Sequence, residues 1–411
     1  MRKSAILLLL AALALPAFAF DKVTVEQLQR AVTAARGQTD KEVAERLGNL
    51  ELTERLSTSR YEKLKIDLPG DRARLALLAL SDASAFLDLP PADVLQAPKP
   101  DTATQGKIVS KAADFVAATV SKMPDFFATR TTTRFKDMKV SRQLDETTLV
   151  PKQSFRLIDR QGATVTFREG KEVVEAPGKK RTGTSVTSTT GLTNWGVFGP
   201  LLGVVMTDLL KGKMGWGHWE QGPAGPLAVF RYVVPEDRSN YTVRYCCFQS
   251  EMGEMREFDA VPAYHGEIAI DPSSGAILRL VLKTDLEPSL PIGRSDVAVE
   301  YGKVEIGGKT YICPVKSISI SNAATKVFHG TIFYVDDSKK SKRDDYQGDA
   351  VKHAETVSEP KVTAINDVVF ENYHEFRGEV RILPADSADT GGSAPVPAPA
   401  PSSATAAPPA K

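Results

Sequence analysis

At Arg130 the side-chain pattern of this chain changes period, and nothing else in it limits the fold as strongly. From RTTTRF (Arg130 to Phe135) to about Pro384, apolar residues alternate with polar ones along most of the chain. Leu278, Leu280 and Leu282 are interleaved with Arg279, Val281 and Lys283, and Val297, Val299 and Tyr301 with Asp296, Ala298 and Glu300. Period-two alternation sends successive side chains to opposite faces of a strand. One face is therefore expected to be dry and the other wet, as in an antiparallel sheet. Asp271-Pro272-Ser273-Ser274-Gly275 and Gly307-Gly308 sit between alternating runs and predict hairpins. About twelve strands are expected in all. The last, Asp367 to Leu383, is placed along an edge or at a closure. Strand twist prevents so large a sheet from lying flat. It must curve, and its concave apolar face must be filled.

The best filler is the stretch GLTNWGVFGPLLGVVMTDLLKGKMGWGHWE (Gly191 to Glu220), which holds all three tryptophans. Phe198, Leu201, Leu202, Val205 and Leu209 follow helical spacing, and Val204 and Leu210 widen the stripe until only Thr207 and Asp208 are clearly polar. Leaving those side chains in water would cost on the order of 10 kcal/mol, so the helix is expected to be covered. Glycines interrupt the run, and it is shorter than the ~20 apolar residues of a bilayer span.

The amino-terminal pattern is that of an exported protein. Arg2 and Lys3 precede the apolar run Ala5 to Leu15, then Pro16 and the small-x-small site Ala17-Phe18-Ala19, which together read as a signal peptide over residues 1–19. No cysteine follows that site and no later segment reads as a membrane span, so the product is expected in the periplasm or secreted. The chain has 52 basic and 51 acidic residues, a balance that argues against nucleic acid as a partner.

Residues 20–88 read as a helical domain. Thr24 with Gln27, and Thr39 with Glu42, are spaced as capping boxes. LELTERLS is expected to open a third helix through Leu52 and Leu56, and Leu75, Leu78, Ala79 and Phe86 line a fourth. Residues 89–104 carry four prolines and read as a linker. A helix over about residues 105–122 opens the sheet domain (105–384), and the Pro/Ala-rich residues 385–411 read as a disordered tail. The fold class is thus α+β: a small helical bundle, then a large curved antiparallel sheet, a half-barrel, around an apolar helix.

Catalytic signatures are weak. The five histidines are scattered with no HExxH spacing, and the chain contains no GxSxG, P-loop or GxGxxG motif, so no catalytic residue, metal or cofactor is assigned. Asp336-Asp337 and Asp344-Asp345 flank a basic loop and read as solvated charge. If a long-range disulfide forms, strand parity joins Cys247 to Cys313 and leaves Cys246 free. The competing bond, between the neighbours Cys246 and Cys247, requires a distorted turn that would end the strand.

The meander HGEIAIDPSSGAILRLVL and the following VAVEYGKVEIGGKTYICPVKS, within residues 127–384, resemble the periplasmic lipoprotein-carrier superfamily (Lol carrier and RseB-like half-barrels). That resemblance implies an incomplete barrel closed by helices over an apolar cavity for acyl chains or lipoproteins. The expected function is an exported non-enzymatic protein that binds an acyl chain, lipid or lipoprotein, with Trp195, Phe198, Leu202, Trp216 and Trp219 nearest the ligand. The alternative is an envelope interaction or regulatory protein with a filled core, meeting other proteins through its amino-terminal helices.

Overall fold

A computed structural model describes residues 21–120, 123–137, 155–168, 171–175, 191–192, 200–249, 253–287, 289–324, 327–334, 351–358 and 361–376. Residues 1–20, Trp195, Phe198, the charged stretch 336–346 and residues 377–411 lie outside these residues.

The chain begins with β1 (Asp21–Val23), α1 (Val25–Ala34), α2 (Asp40–Gly48), β2 (Leu50–Leu52), α3 (Thr58–Ile66) and α4 (Asp71–Ser84). Both expected capping boxes form: the Thr24 and Thr39 hydroxyls accept from the Gln27 and Glu42 amides, and those side chains accept from the threonine amides in return. The third helix starts later than its sequence suggests. Leu50–Leu52 instead pairs in parallel with Asp21–Val23, so a contact made across about thirty residues overrides a local helical pattern. The proline-rich segment then gives a single 3-10 turn at Pro91–Asp93 and β3 (Val94–Leu95), which pairs with a strand of the main sheet. It is fastened down and is not a free linker.

After α5 (Thr102–Val120) come β4 (Phe126–Asp137), β5 (Phe155–Arg168), β6 (Lys171–Glu175), β7 (Gly191–Leu192) and α6 (Pro200–Leu209). Apart from a 3-10 turn at Glu236–Arg238, the elements that follow are strands: β8 (Lys213–Gly222), β9 (Gly225–Val234), β10 (Val243–Gln249), β11 (Met255–Ala260), β12 (Tyr264–Ile270) and β13 (Ile277–Thr284). These are followed by β14 (Ile292–Ile306), β15 (Lys309–Ala323), β16 (Val327–Tyr334), β17 (Val351–Ser358) and β18 (Val362–Glu375). Eleven of them form one open antiparallel sheet in the order β3-β8-β9-β12-β13-β14-β15-β18-β4-β5-β6. The expected hairpins join β12 to β13 and β14 to β15. Gly307 and Gly308 both take positive φ, +60° and +78°, as a two-residue turn matched to strand twist requires. The final strand differs from expectation: β18 lies inside the sheet, between β15 and β4.

Helices cover both faces of this sheet. On one face α5 supplies Ile108, Ala112 and Val116 and α6 supplies Leu201, Leu202, Val205 and Leu209, all packed on Ile268, Leu280, Leu282, Val299 and Phe126. Only one side of α6 is buried; Leu210, expected to extend its apolar stripe, is 82 % exposed. On the other face α4 and the residues just after it bring Ala79 and Phe86 against Val281, Ala298, Ile318, Ile320 and Ile365. The face expected to be wet is therefore covered, with Arg279, Val281, Asp296 and Ala298 all buried. α4 also gives Ala73, Leu77 and Leu80 to the core of the amino-terminal helices. One helix thus belongs to two cores, and the helical and sheet regions fall within one compact unit.

Candidate functional site

Strand β8 lies one short strand from the edge of the sheet, since β3 covers it only at Trp219 and Glu220. Trp216 and Trp219 are three residues apart, which in a regular strand would place them on opposite faces. Instead the pairing with β9 shifts between Trp216 and His218, leaving Gly217 as the extra residue of a bulge. Both tryptophans therefore lie on the face covered by α5 and α6, half-buried, with their rings edge to face at 5.0 Å and Trp216 edge to face with Phe230 at 5.5 Å. Glycine suits the bulge because a Cβ at Gly217 would sit 3.0 Å from the Val229 carbonyl oxygen. The Trp219 indole N–H donates to the Pro98 carbonyl at 2.9 Å, so its polar atom is satisfied and its ring surface remains apolar. Met206, Met214, Val109 and Phe115 are also half-buried against the same core. Leu202 belongs to that core but is buried, while Trp195 and Phe198 lie outside the described residues.

The bulge also turns His218 and Glu220 to the opposite face, where sequence reasoning assigned nothing. Glu220 accepts from Arg279 of β13 and lies 2.7 Å from Arg55, which precedes α3. Glu267 stands 3.5 Å from Arg279 and 3.0 Å from Arg231, and Arg231 reaches Asp88 at 2.6 Å. Burial works to raise the Glu220 carboxyl, but the Arg279 guanidinium, with Arg55 and His218, outweighs it and holds the group well below the ordinary carboxylate range. Three arginines face three carboxylates, a neutral network that fixes the amino-terminal helices to the sheet. Arg231 and Glu267, of opposite charge, stand directly across from each other on β9 and β12, but that pairing skips β10 and β11 and left no local signal in the sequence.

A second buried group joins α4 to the sheet. Lys316 of β15 lies 2.8 Å from Asp82 of α4 and 2.9 Å from Asp367 of β18, and both carboxylates are fully or almost fully buried. Burial, reinforced by the nearby Asp367 charge, pushes the Asp82 carboxyl up to about 8, against the opposing pull of Lys316. A single ammonium between two carboxyls is balanced when one of them keeps its proton.

The cysteines are joined differently from the long-range expectation. Cys246 is bonded to Cys247, and Cys313 is a buried free thiol. The reason is topological: Cys313 lies on β15 of the main sheet, whereas β10 belongs to a separate three-stranded sheet in the order β11-β10-β7. Nor does the neighbour bond end the strand, since β10 absorbs it as a register shift between Cys246 and Phe248 and runs on to Gln249.

Among the described residues no helix is long and apolar enough to cross a membrane. Set against protein-family models, curated proteins and solved structures, the chain matches none of them.

Proposed function

We propose that this chain is an exported, non-enzymatic binding protein that takes an apolar ligand, an acyl chain or the lipidated end of a lipoprotein, at the tryptophan end of the helix-covered sheet face. The observation that carries the reading is the bulge at Gly217, which gathers two half-buried tryptophans on one face beside Met206 and Met214. Aromatic rings and thioethers adapt well to flexible apolar chains. α5 and α6 already fill the middle of that face, so the reading assigns the ligand to the rim and not to a tunnel. The resemblance to the lipoprotein-carrier half-barrels agrees with this ligand class, and the leader pattern of residues 1–19 supports a periplasmic or secreted location. The test is a fluorescence titration of the mature chain with a long-chain fatty acid, together with mass spectrometry of lipids extracted from the purified protein. A saturable change in tryptophan emission, lost in Trp216→Ala and Trp219→Ala variants of unchanged circular dichroism, is the expected outcome. No emission change and no co-purifying lipid would reject the reading.

A second reading, an envelope interaction protein, is favoured by a different observation. Among the described residues β6 pairs with β5 at Thr164–Arg168 alone, and on the stretch of β5 before Thr164 Leu157 and Ile158 are 44 % and 48 % exposed. An apolar strand edge of this kind suits strand addition by a partner. Cross-linking in cell extracts that is lost in Leu157→Lys/Ile158→Lys, with fatty-acid binding intact, would favour this second reading over the first.

A further inference from the structure

The small sheet outside the main one carries a cluster that neither the core nor the tryptophan rim uses. Cys246 stands directly across from Glu257 in the antiparallel pair of β10 and β11, and Cys247 occupies the bulge that follows. In a regular strand Cys247 would point to the far face. The bulge removes that alternation, and both sulfurs and a Glu257 carboxylate oxygen lie within 4.8 Å of one another. The two cysteines are half-buried and Glu257 is exposed, so the cluster opens to solvent. Cys313 offers a contrast within the same chain: it is fully buried, and burial pushes its thiol up to about 12.

We propose that Cys246, Cys247 and Glu257 form a redox-gated site for a thiophilic divalent metal ion of the zinc and cadmium class. In the closed state the sulfurs are bonded to each other, as they are here. A dithiol reductant opens the site by exchange: its two thiols transfer two electrons and two protons to the Cys246–Cys247 bond and become a disulfide, leaving two thiols on the protein. The incoming ion then displaces one proton from each thiol and binds two thiolates and the Glu257 carboxylate, with water in the fourth position. At Zn–S distances of about 2.3 Å, tetrahedral geometry sets the two sulfurs roughly 3.8 Å apart, so the sulfurs bonded to each other here must part on reduction. Paired thiolates select soft or borderline ions over magnesium and calcium, and the single carboxylate does not reverse that preference.

The experiment uses the mature chain, reduced with a phosphine and desalted without oxygen so that no added thiol competes. Cadmium is titrated in, following the thiolate-to-cadmium charge-transfer absorption and counting bound metal by mass spectrometry. The expected result is one cadmium per reduced chain and none per oxidised chain. Glu257→Gln should weaken binding about tenfold or more, and Cys246→Ser should abolish the charge-transfer band. Cys313→Ala should leave the titration unchanged. Because a cysteine variant can fail to fold, a second measurement uses the native sequence: cadmium should protect two thiols of the reduced, folded chain from alkylation. Absence of stoichiometric uptake by the reduced chain, equal uptake by the oxidised chain, or alkylation unaffected by cadmium would each overturn the proposal.

Discussion

Tyr264 donates its hydroxyl to the Asp208 carboxylate across 2.7 Å, joining the last turn of α6 to the middle of the main sheet. Both residues are buried, and the same carboxylate accepts from the Asn240 backbone amide at 2.9 Å and from the Asn240 side chain. The one acidic residue of an otherwise greasy helix is thus its anchor. In Asp208→Ala the Tyr264 hydroxyl loses its partner in the interior, where an unmet donor costs about 1–3 kcal/mol, while Asn240, an exposed residue, can turn to water. We expect the urea midpoint to fall with its slope unchanged. Tyr264→Phe, which removes one donor and leaves the other Asp208 contacts in place, should cost less.

Glu220 holds two buried guanidiniums, Arg55 and Arg279. Glu220→Gln leaves Arg55 without its ion-pair partner and Arg279 with Glu267 alone, and should destabilise the chain by about 3–5 kcal/mol. The linkage has a definite sign. Glu220 is held below its ordinary value in the folded chain, so its stabilisation is present above the unfolded pKa of about 4.3 and is lost as pH falls through the folded value. Equilibrium unfolding of the two proteins at several pH values should show their stabilities converging in acid; a constant gap would contradict the assignment.

Asp82 has the opposite sign. Its folded carboxyl is raised to about 8 by burial, so between about pH 4 and about 8 the folded chain keeps a proton that the unfolded chain gives up. Stability then falls as pH rises through that window, by at most about 1.4 kcal/mol per pH unit. Asp82→Asn removes this slope. Melting temperatures across the window should be flatter for the variant, which gains on the parent as pH increases.

Gly217→Val places side-chain bulk against the Val229 carbonyl oxygen, where even a Cβ would approach to 3.0 Å. The bulge should be lost or shifted, and with it the common face of Trp216 and Trp219. We expect the edge-to-face pair to separate, seen as a change in near-ultraviolet circular dichroism, with fatty-acid binding weakened in parallel. An unchanged aromatic signal would show that the bulge does not depend on glycine.

Much of the architecture was legible in the side-chain pattern. The alternation at Leu278–Leu282 and Val297–Tyr301 marked the strands, and the glycine pair at 307–308 fixed a hairpin, because both signals depend on local backbone geometry. The capping boxes at Thr24 and Thr39 are local in the same sense. What could not be read was which surface meets which. Arg279 and Asp296 look like solvated residues in the alternation yet are buried in the fold, and Leu210 looks like core until α6 is seen to bury only one side.

The amino-acid order alone determined that a large antiparallel sheet must exist and that apolar helices must cover part of it, since strand period and transfer free energy act on each segment where it stands. Only the tertiary structure decided that α4 would serve two cores, that Cys246 would bond to its neighbour and not to Cys313, and that a bulge would set Trp216 and Trp219 side by side. Each of these depends on contacts between segments far apart in the chain. Several partners compete for such contacts, and the choice falls to whichever arrangement buries the most apolar surface while leaving the fewest charges unpaired.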